Sequence, residues 1–345
     1  MPTKINRAGE QQNYVPAGHG DASGEYGDKE IQNTLGEKSV VCFGKGYSKE
    51  DLEQIEKDTE TYVNDFPELK DEIKLMGDRN NLEKYVNALR EGQTPSEENI
   101  TKEMARIKEF SWTLPPENEL RERAIRNLKS PLKLTRLNNA YAYWDQSNHA
   151  MVYMGKMKKL TDEQKDYEYN NNFKSSDKRN ATFCHEMGHA TYSALKNYVK
   201  HNIDKLDKEY SKLTDLEERN KIGPKIRQLE ILRDDFESRL SFYKNQNLNE
   251  NYSKEFNEVY KQKTGLDYGM SSYNRDKYEA EKEVTQELKD KGIKKYNISK
   301  YGATNKDEFI AECFSAHYTG MNNELATNVV NLFKQYSKDV REVLK

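Results

Sequence analysis

The chain has 345 residues, of which 33% are charged, and 56 Lys and Arg against 59 Asp and Glu leave a formal net charge of −3. This near balance gives no field that would favour nucleic acid or a membrane surface as a partner. The mean hydropathy of −1.11 indicates thin helical layers and no membrane span, and three scattered cysteines give no disulfide framework, which fits a reducing cytoplasm.

Residues 1–36 are rich in Gly, Asn, Gln, Asp and Glu, which predicts a flexible tail. The first 45 residues lack the basic start and apolar stretch of a secretory signal. We therefore expect cytoplasmic synthesis, and an extracellular destination would need another route, such as delivery within a phage particle. Residues 37–130 predict a helical N-terminal domain, with capping-box patterns that start at Ser48 and Thr94. The tail or this domain could dock a partner.

Two runs of β-forming residues, 139–144 and 149–154, flank the turn-forming residues 145–148. They predict a β-hairpin near the start of a second domain, which we place at 131–345. We interpret the second run as the edge strand, where an extended peptide could add itself as a further strand through backbone hydrogen bonds. The alternative is a purely structural hairpin.

Residues 185–189 read His-Glu-Met-Gly-His, an HExxH motif. Apolar residues at helical spacing predict a half-buried helix over 178–199. On such a helix His185 and His189 lie on one face and can bind one zinc ion. Glu186 can then reach a metal-bound water as general base. The alternative is a pair of surface histidines on a polar helix.

A catalytic zinc ion takes three protein ligands, and the chain lacks the downstream Gly and His of the metzincin pattern, which leaves a distant Glu. The tract 301–314 reads Tyr-Gly-Ala-Thr-Asn-Lys-Asp-Glu-Phe-Ile-Ala-Glu-Cys-Phe. Thr304 or Asn305 can cap a helix that begins there. This helix would carry Glu308 and Glu312 one turn apart, one as a ligand and the other as an orienting carboxylate. The alternative is a solvated acidic face.

The combination of HExxH with this tract resembles the C-terminal metalloprotease domain of the anthrax lethal factor family, a branch of the Glu-zincins. The family tract reads Tyr-Gly-x-Thr-Asn-x-x-Glu-Phe-x-Ala-Glu-x-Phe, and every specified position is matched. The resemblance covers roughly residues 135–345. It implies Zn²⁺ as the cofactor, with His185, His189 and Glu308 as the three ligands.

The same resemblance implies Glu186 as the general base and Tyr301 as a phenol that stabilises the oxyanion or protonates the leaving amine. Glu312 would be a carboxylate behind the ligands. The chain departs from the family in its much longer spacer between the two motifs, which implies a different substrate cleft.

The spacer predicts a helical insertion at about 200–295. Residues 200–247 carry alternating charges with Leu and Ile at helical spacings, and Gly223-Pro224 interrupts them midway. This pattern predicts two amphipathic helices that fold back on each other. A further helix is predicted over 274–291. The charges predict a solvated face, and the alternative is an arm that docks a partner or covers the cleft.

The sequence therefore predicts an α+β, mainly α protein: a zincin-like domain with a small antiparallel-edged sheet and an active-site helix, next to a helical N-terminal domain. The predicted function is that of a zinc metalloendopeptidase, which hydrolyses a protein or peptide substrate through a zinc-activated water. The alternative is a non-catalytic structural or binding component, for example of a virion, that retains a zinc site.

Overall fold

The computed structural model describes residues 22–36, 39–44, 47–90, 93–109, 116–130, 133–134, 142–154, 162–178, 180–268 and 275–345. Over these residues the chain is mainly helical with one four-stranded sheet, which confirms the predicted α+β, mainly α class. No helix within these ranges has the length and apolar character needed to cross a membrane.

The helices in chain order are α1 (Ala22–Leu35), α2 (Lys49–Asp65), α3 (Leu69–Glu72), α4 (Arg79–Arg90), α5 (Glu97–Glu109), α6 (Glu117–Lys129), α7 (Asp162–Asn170), α8 (Ala181–Lys212), α9 (Leu216–Asn245), α10 (Glu250–Thr264), α11 (Arg275–Asp290), α12 (Lys306–Tyr318) and α13 (Glu324–Leu344). The strands are β1 (Val40–Cys42), β2 (Leu75–Asp78), β3 (Ala142–Asp145) and β4 (Ala150–Tyr153).

Backbone contacts group the chain into two compact units. The first unit comprises Met1–Lys159, Thr182–Arg233 and Lys334–Lys345. The second unit comprises Leu160–Ala181 and Asp234–Phe333.

The sheet belongs to the first unit and has the strand order β1-β2-β4-β3. β1 pairs with β2 and β2 pairs with β4 in parallel, whereas β3 pairs with β4 in the antiparallel sense. Gly77 in β2 has a φ of 146°, and a Cβ at this position would lie 2.1 Å from the carbonyl oxygen of Cys42. The close approach of β1 and β2 therefore requires glycine.

The predicted hairpin is present, but β3 rather than β4 is the edge strand in the part of the sheet that the structure describes. Residues 139–141 of the first predicted run lie outside the described residues. The interpretation of the second run as the edge was wrong because β2 occupies its other side. β2 has only four residues and includes a glycine, so its sequence shows no strand alternation.

The same pairing bears on the predicted domain boundary at 130. β1 and β2 come from the region that we predicted as a helical domain, and β2 pairs directly with β4 from the predicted protease domain. The sheet thus joins residues on both sides of that boundary. The predicted capping box at Ser48 is confirmed: its hydroxyl accepts from the amide of Asp51, 3.2 Å away, and the Asp51 carboxylate accepts from the Ser48 amide.

The predicted flexible tail was wrong for its last part, since Ala22–Leu35 form α1. Ile31 and Leu35 are buried one helical turn apart. The carboxylate of Asp28 accepts a hydrogen bond from the amide of Phe43, with 2.9 Å between oxygen and nitrogen. The polar composition of residues 1–36 gave no indication of these buried apolar residues. Residues 1–21 of the predicted tail lie outside the described residues.

The charged spacer forms two long helices, but the interruption differs from the predicted one. α8 ends at Lys212, and α9 runs from Leu216 through Pro224 to Asn245. The carboxylate of Asp215 accepts from the amide of Glu217, at 2.8 Å, and so caps α9. This cap sets the break at residues 213–215, ahead of the predicted Gly-Pro interruption. The predicted helix over 274–291 is confirmed by α11, with residue 274 outside the described ranges.

Candidate metal centre

Helix α8 carries the HExxH motif near its start, within the first unit. His185 is buried and His189 half-buried, and their ring centroids lie 4.9 Å apart with the rings at 80° to each other. The spacing of four residues therefore brings the imidazoles together, as predicted. The opposite face anchors the helix through a buried apolar set: Phe183, Cys184, Met187, Ala190, Ala194 and Leu195.

A contact near the N-terminal end of α8 fixes the position of this helix. The hydroxyl of Tyr62 on α2 donates a hydrogen bond to the carbonyl of Cys184, with 3.1 Å between the oxygens. Burial raises the pKa of the Cys184 thiol far above its ordinary range. A thiol that stays protonated is a poor nucleophile and a poor metal ligand, so Cys184 serves packing, which agrees with its full burial.

Glu186 is held by strand β3. The backbone amide of Trp144 on β3 donates a hydrogen bond to one carboxylate oxygen of Glu186, with 2.8 Å between nitrogen and oxygen. Tyr153 on β4 is buried, and burial raises the pKa of its phenol well above the ordinary value, with smaller contributions from Tyr47, Asp58, Cys184 and Glu186. The backbone of β3 therefore holds the carboxylate of the predicted base.

The tract that follows the spacer lies in the second unit and begins α12. The side chain of Asn305 accepts a hydrogen bond from the amide of Glu308 at 2.8 Å. Of the two predicted caps, Asn305 is thus the one used. Glu308 is half-buried in the first turn of α12, where the free amides and the helix dipole favour a negative charge. Tyr301 lies just before the helix, in a 3-10 turn over Tyr301–Ala303.

Glu312 lies one turn further along α12 and is 1% exposed. Its carboxylate accepts from the backbone amide of Ser175 at 2.7 Å, and its carbonyl accepts from the Ser175 hydroxyl at 2.9 Å. The alternative of a solvated acidic face is therefore wrong for Glu312. Ser175 has the residue type of a helix cap and lies just ahead of the helix predicted over 178–199, but α8 begins only at Ala181. Ser175 instead binds a residue 137 positions away.

Two residues that contact the site could not be recognised from the sequence. Trp144 acts through its backbone amide, which every residue except proline carries, so its side chain gives no signal. Lys174, next to Ser175, has its ammonium nitrogen 3.5 Å from the Glu312 carboxylate. A lone lysine in a polar loop has no distinguishing pattern either.

Among the described residues, one group of potential ligands is close enough for a single metal ion. His185, His189 and Glu308 each offer one ligand atom, and these atoms all lie within 4.8 Å of one another. Two imidazole nitrogens and one carboxylate oxygen form a donor set that zinc takes in catalytic sites. The donor chemistry therefore fits the predicted cofactor.

Comparisons with known proteins add no independent support. No family model, no curated protein and no solved structure matches this chain. The resemblance to the lethal factor family rests on its two motifs alone and stays a prediction.

Proposed function

We propose that this chain is a zinc-dependent metalloendopeptidase with a zincin-like active site. One observation carries the proposal: the ligand atoms of His185, His189 and Glu308 cluster within 4.8 Å. Glu186, the residue that the HExxH pattern assigns as general base, adjoins the first of these ligands on the same helix. A site that only held a metal ion would not need a base in that position.

Zinc, when bound by these residues, would supply a Lewis acid for the scissile carbonyl and lower the pKa of water. Glu186 would accept a proton from the attacking water and pass it to the departing nitrogen. Its hydrogen bond from the Trp144 amide leaves the carboxylate little freedom to turn away. Tyr301 would donate a hydrogen bond to the developing oxyanion. Glu312, buried and hydrogen-bonded, would act behind the ligands by holding α12 in place.

The proposed substrate is a protein or peptide in extended conformation. β3 is an edge strand in the part of the sheet that the structure describes, and its residue Trp144 contacts Glu186 through the backbone. A peptide that paired with β3 would gain backbone hydrogen bonds largely independent of its sequence. This pairing would bring the peptide backbone to the strand that holds the base.

The proposal is tested by zinc analysis of the purified protein together with proteomic mapping of its cleavage sites. Glu186→Ala should retain zinc and lose cleavage, because it removes the base and no ligand. His189→Ala should lose the metal. His201→Ala changes an exposed histidine further along α8 and serves as the matched control, with zinc and cleavage both retained.

Two outcomes would contradict the proposal. Cleavage by Glu186→Ala at the wild-type rate would exclude Glu186 as the base and with it the zincin-like mechanism proposed for this site. Stoichiometric zinc in the wild type without cleavage of any protein would favour the alternative, a structural or binding component that retains a metal site.

A further inference from the structure

The loop of residues 172–175 contacts two residues of the proposed site, and all of these residues belong to the second unit. The carbonyl of Phe173 accepts a hydrogen bond from the amide of Tyr301 at 3.1 Å. The amide of Ser175 donates to the Glu312 carboxylate at 2.7 Å. Lys174 lies between these two anchors. Its ammonium nitrogen is 3.7 Å from the centroid of the Tyr301 ring and 3.5 Å from a carboxylate oxygen of Glu312.

The loop itself is fixed. Asn172 adopts a φ of 55°, a left-handed conformation that Asn tolerates better than most residues. Its side-chain amide donates to the carbonyl of Ile298, and its side-chain oxygen accepts from the amide of Tyr296. The Asn172 carbonyl accepts from the amide of Lys300 at 2.7 Å. Lys174 therefore extends from an ordered backbone, and its ammonium group contacts both the Tyr301 ring and the Glu312 carboxylate.

The burial of Glu312 makes the charge of Lys174 important. The Glu312 side chain is 2% exposed and that of Lys174 is 31% exposed. A buried carboxylate needs compensation, to which the ammonium of Lys174 and the Ser175 amide both contribute. The same ammonium faces the π-system of Tyr301, which attracts a cation and keeps the ring against it. The ammonium charge of Lys174 thus couples the orientation of the Tyr301 phenol to the carboxylate of Glu312.

We propose that Lys174 is a positioning residue for Tyr301, which holds the phenol ring against the fixed loop so that its hydroxyl keeps the orientation used in peptide hydrolysis. This inference rests on the proposed function for its catalytic part. The contact itself can be tested without activity.

The first experiment uses the full-length, metal-free protein with ¹³C label at Cζ of tyrosine, observed by NMR. The Tyr301 resonance is identified by its loss in Tyr301→Phe. It should shift in Lys174→Met, which removes the charge and keeps the chain length, and return towards its original position in Lys174→Arg. Lys282→Met is the matched control, because Lys282 lies 4.6 Å over the ring of a different tyrosine, Tyr278. It should leave the Tyr301 resonance unchanged.

The second experiment measures kcat and KM on a peptide that contains the mapped cleavage site. Lys174→Met should lower kcat about tenfold, the order expected for a lost cation–π contact, while KM and zinc content stay within about twofold. Lys174→Arg should restore most of the rate. In the Tyr301→Phe background, Lys174→Met should cost less than about twofold, because no hydroxyl remains to be positioned.

The outcomes separate the inference from the proposed function. An unmoved Tyr301 resonance in Lys174→Met overturns the inference whether or not the protein cleaves peptides. An equal loss of kcat with and without the Tyr301 hydroxyl also overturns it, since Lys174 would then act by another path. If the wild type cleaves nothing, the proposed function fails while the NMR comparison still decides whether Lys174 fixes the phenol. Lys174→Gln replaces Lys174→Met if circular dichroism shows that the Met variant does not fold.

Discussion

The buried carboxylate of Asp28 makes the stability of the first unit depend on pH. Asp28 on α1 is 7% exposed and accepts a hydrogen bond from the Phe43 amide, which follows β1. Burial raises its pKa from 3.8 to about 6, against the opposing effect of that hydrogen bond. The folded protein therefore keeps a proton on Asp28 over a pH range in which the unfolded chain has lost it.

The sign and size of the effect follow from the two pKa values. Because the folded state binds the proton more tightly, stability falls as the pH rises from about 4 to about 6 and then levels off. The interval from 3.8 to about 6, at 1.36 kcal/mol per pKa unit, corresponds to a cost of about 3 kcal/mol at pH 7.5. At pH 4.5 the same two values leave a cost of only about 1 kcal/mol. Asp28→Asn removes this cost and keeps an oxygen that can accept from the Phe43 amide.

Urea unfolding, followed by circular dichroism, measures the difference between the two proteins. Metal-free protein should be used, because protonation of metal ligands would add its own pH dependence. Asp28→Asn should exceed the wild type in free energy of unfolding by about 3 kcal/mol at pH 7.5 and by about 1 kcal/mol at pH 4.5. Asp204→Asn changes an exposed carboxylate on α8 and should show no such difference. An advantage of Asp28→Asn that is equal at both pH values would refute the reasoning.

Two further predictions concern stability and rate. Glu72→Ala should lower the free energy of unfolding by about 3 kcal/mol. The fully buried carboxylate accepts hydrogen bonds from the Ser193 hydroxyl at 2.7 Å and the Asn197 side-chain amide at 3.1 Å. Urea unfolding measures the difference, and a change below about 1 kcal/mol would mean that these donors find other partners. Tyr301→Phe should lower kcat about a hundredfold and change KM much less, because it removes a hydrogen-bond donor to the oxyanion. Steady-state kinetics on a peptide that contains the mapped cleavage site measure both constants. An unchanged kcat would remove Tyr301 from the mechanism.

Local signals explain the parts of the fold that the sequence predicted well. The HExxH helix follows from apolar residues at helical spacing, and α12 follows from the cap at Asn305. α2 follows from the capping box at Ser48. Each signal lies within a few residues of the element that it starts. The four-residue strand β2, which contains Gly77, has no such signal, and so the strand order and the edge strand could not be predicted.

The helix boundaries that failed show the same limit. Pro224 would ordinarily break a helix, yet α9 continues through it after starting at the cap of Asp215. Ser175 has the residue type of a cap and instead binds Glu312. In both cases the residue type permitted two local outcomes. The choice between them depended on contacts that no short window of sequence contains.

The candidate site shows the same difference between groups that a sequence motif can identify and groups that only orient them. A ligand or a base must have a particular side chain, so a motif can reveal His185 or Glu186. Two of the contacts that orient the site need no particular residue type: the Trp144 amide holds Glu186, and the Ser175 amide holds Glu312, which lies behind the proposed ligands. Both contacts are made by the backbone and depend on where the chain passes. A resemblance built from motif side chains therefore predicts which groups could react, whereas the contacts that orient these groups depend on the fold.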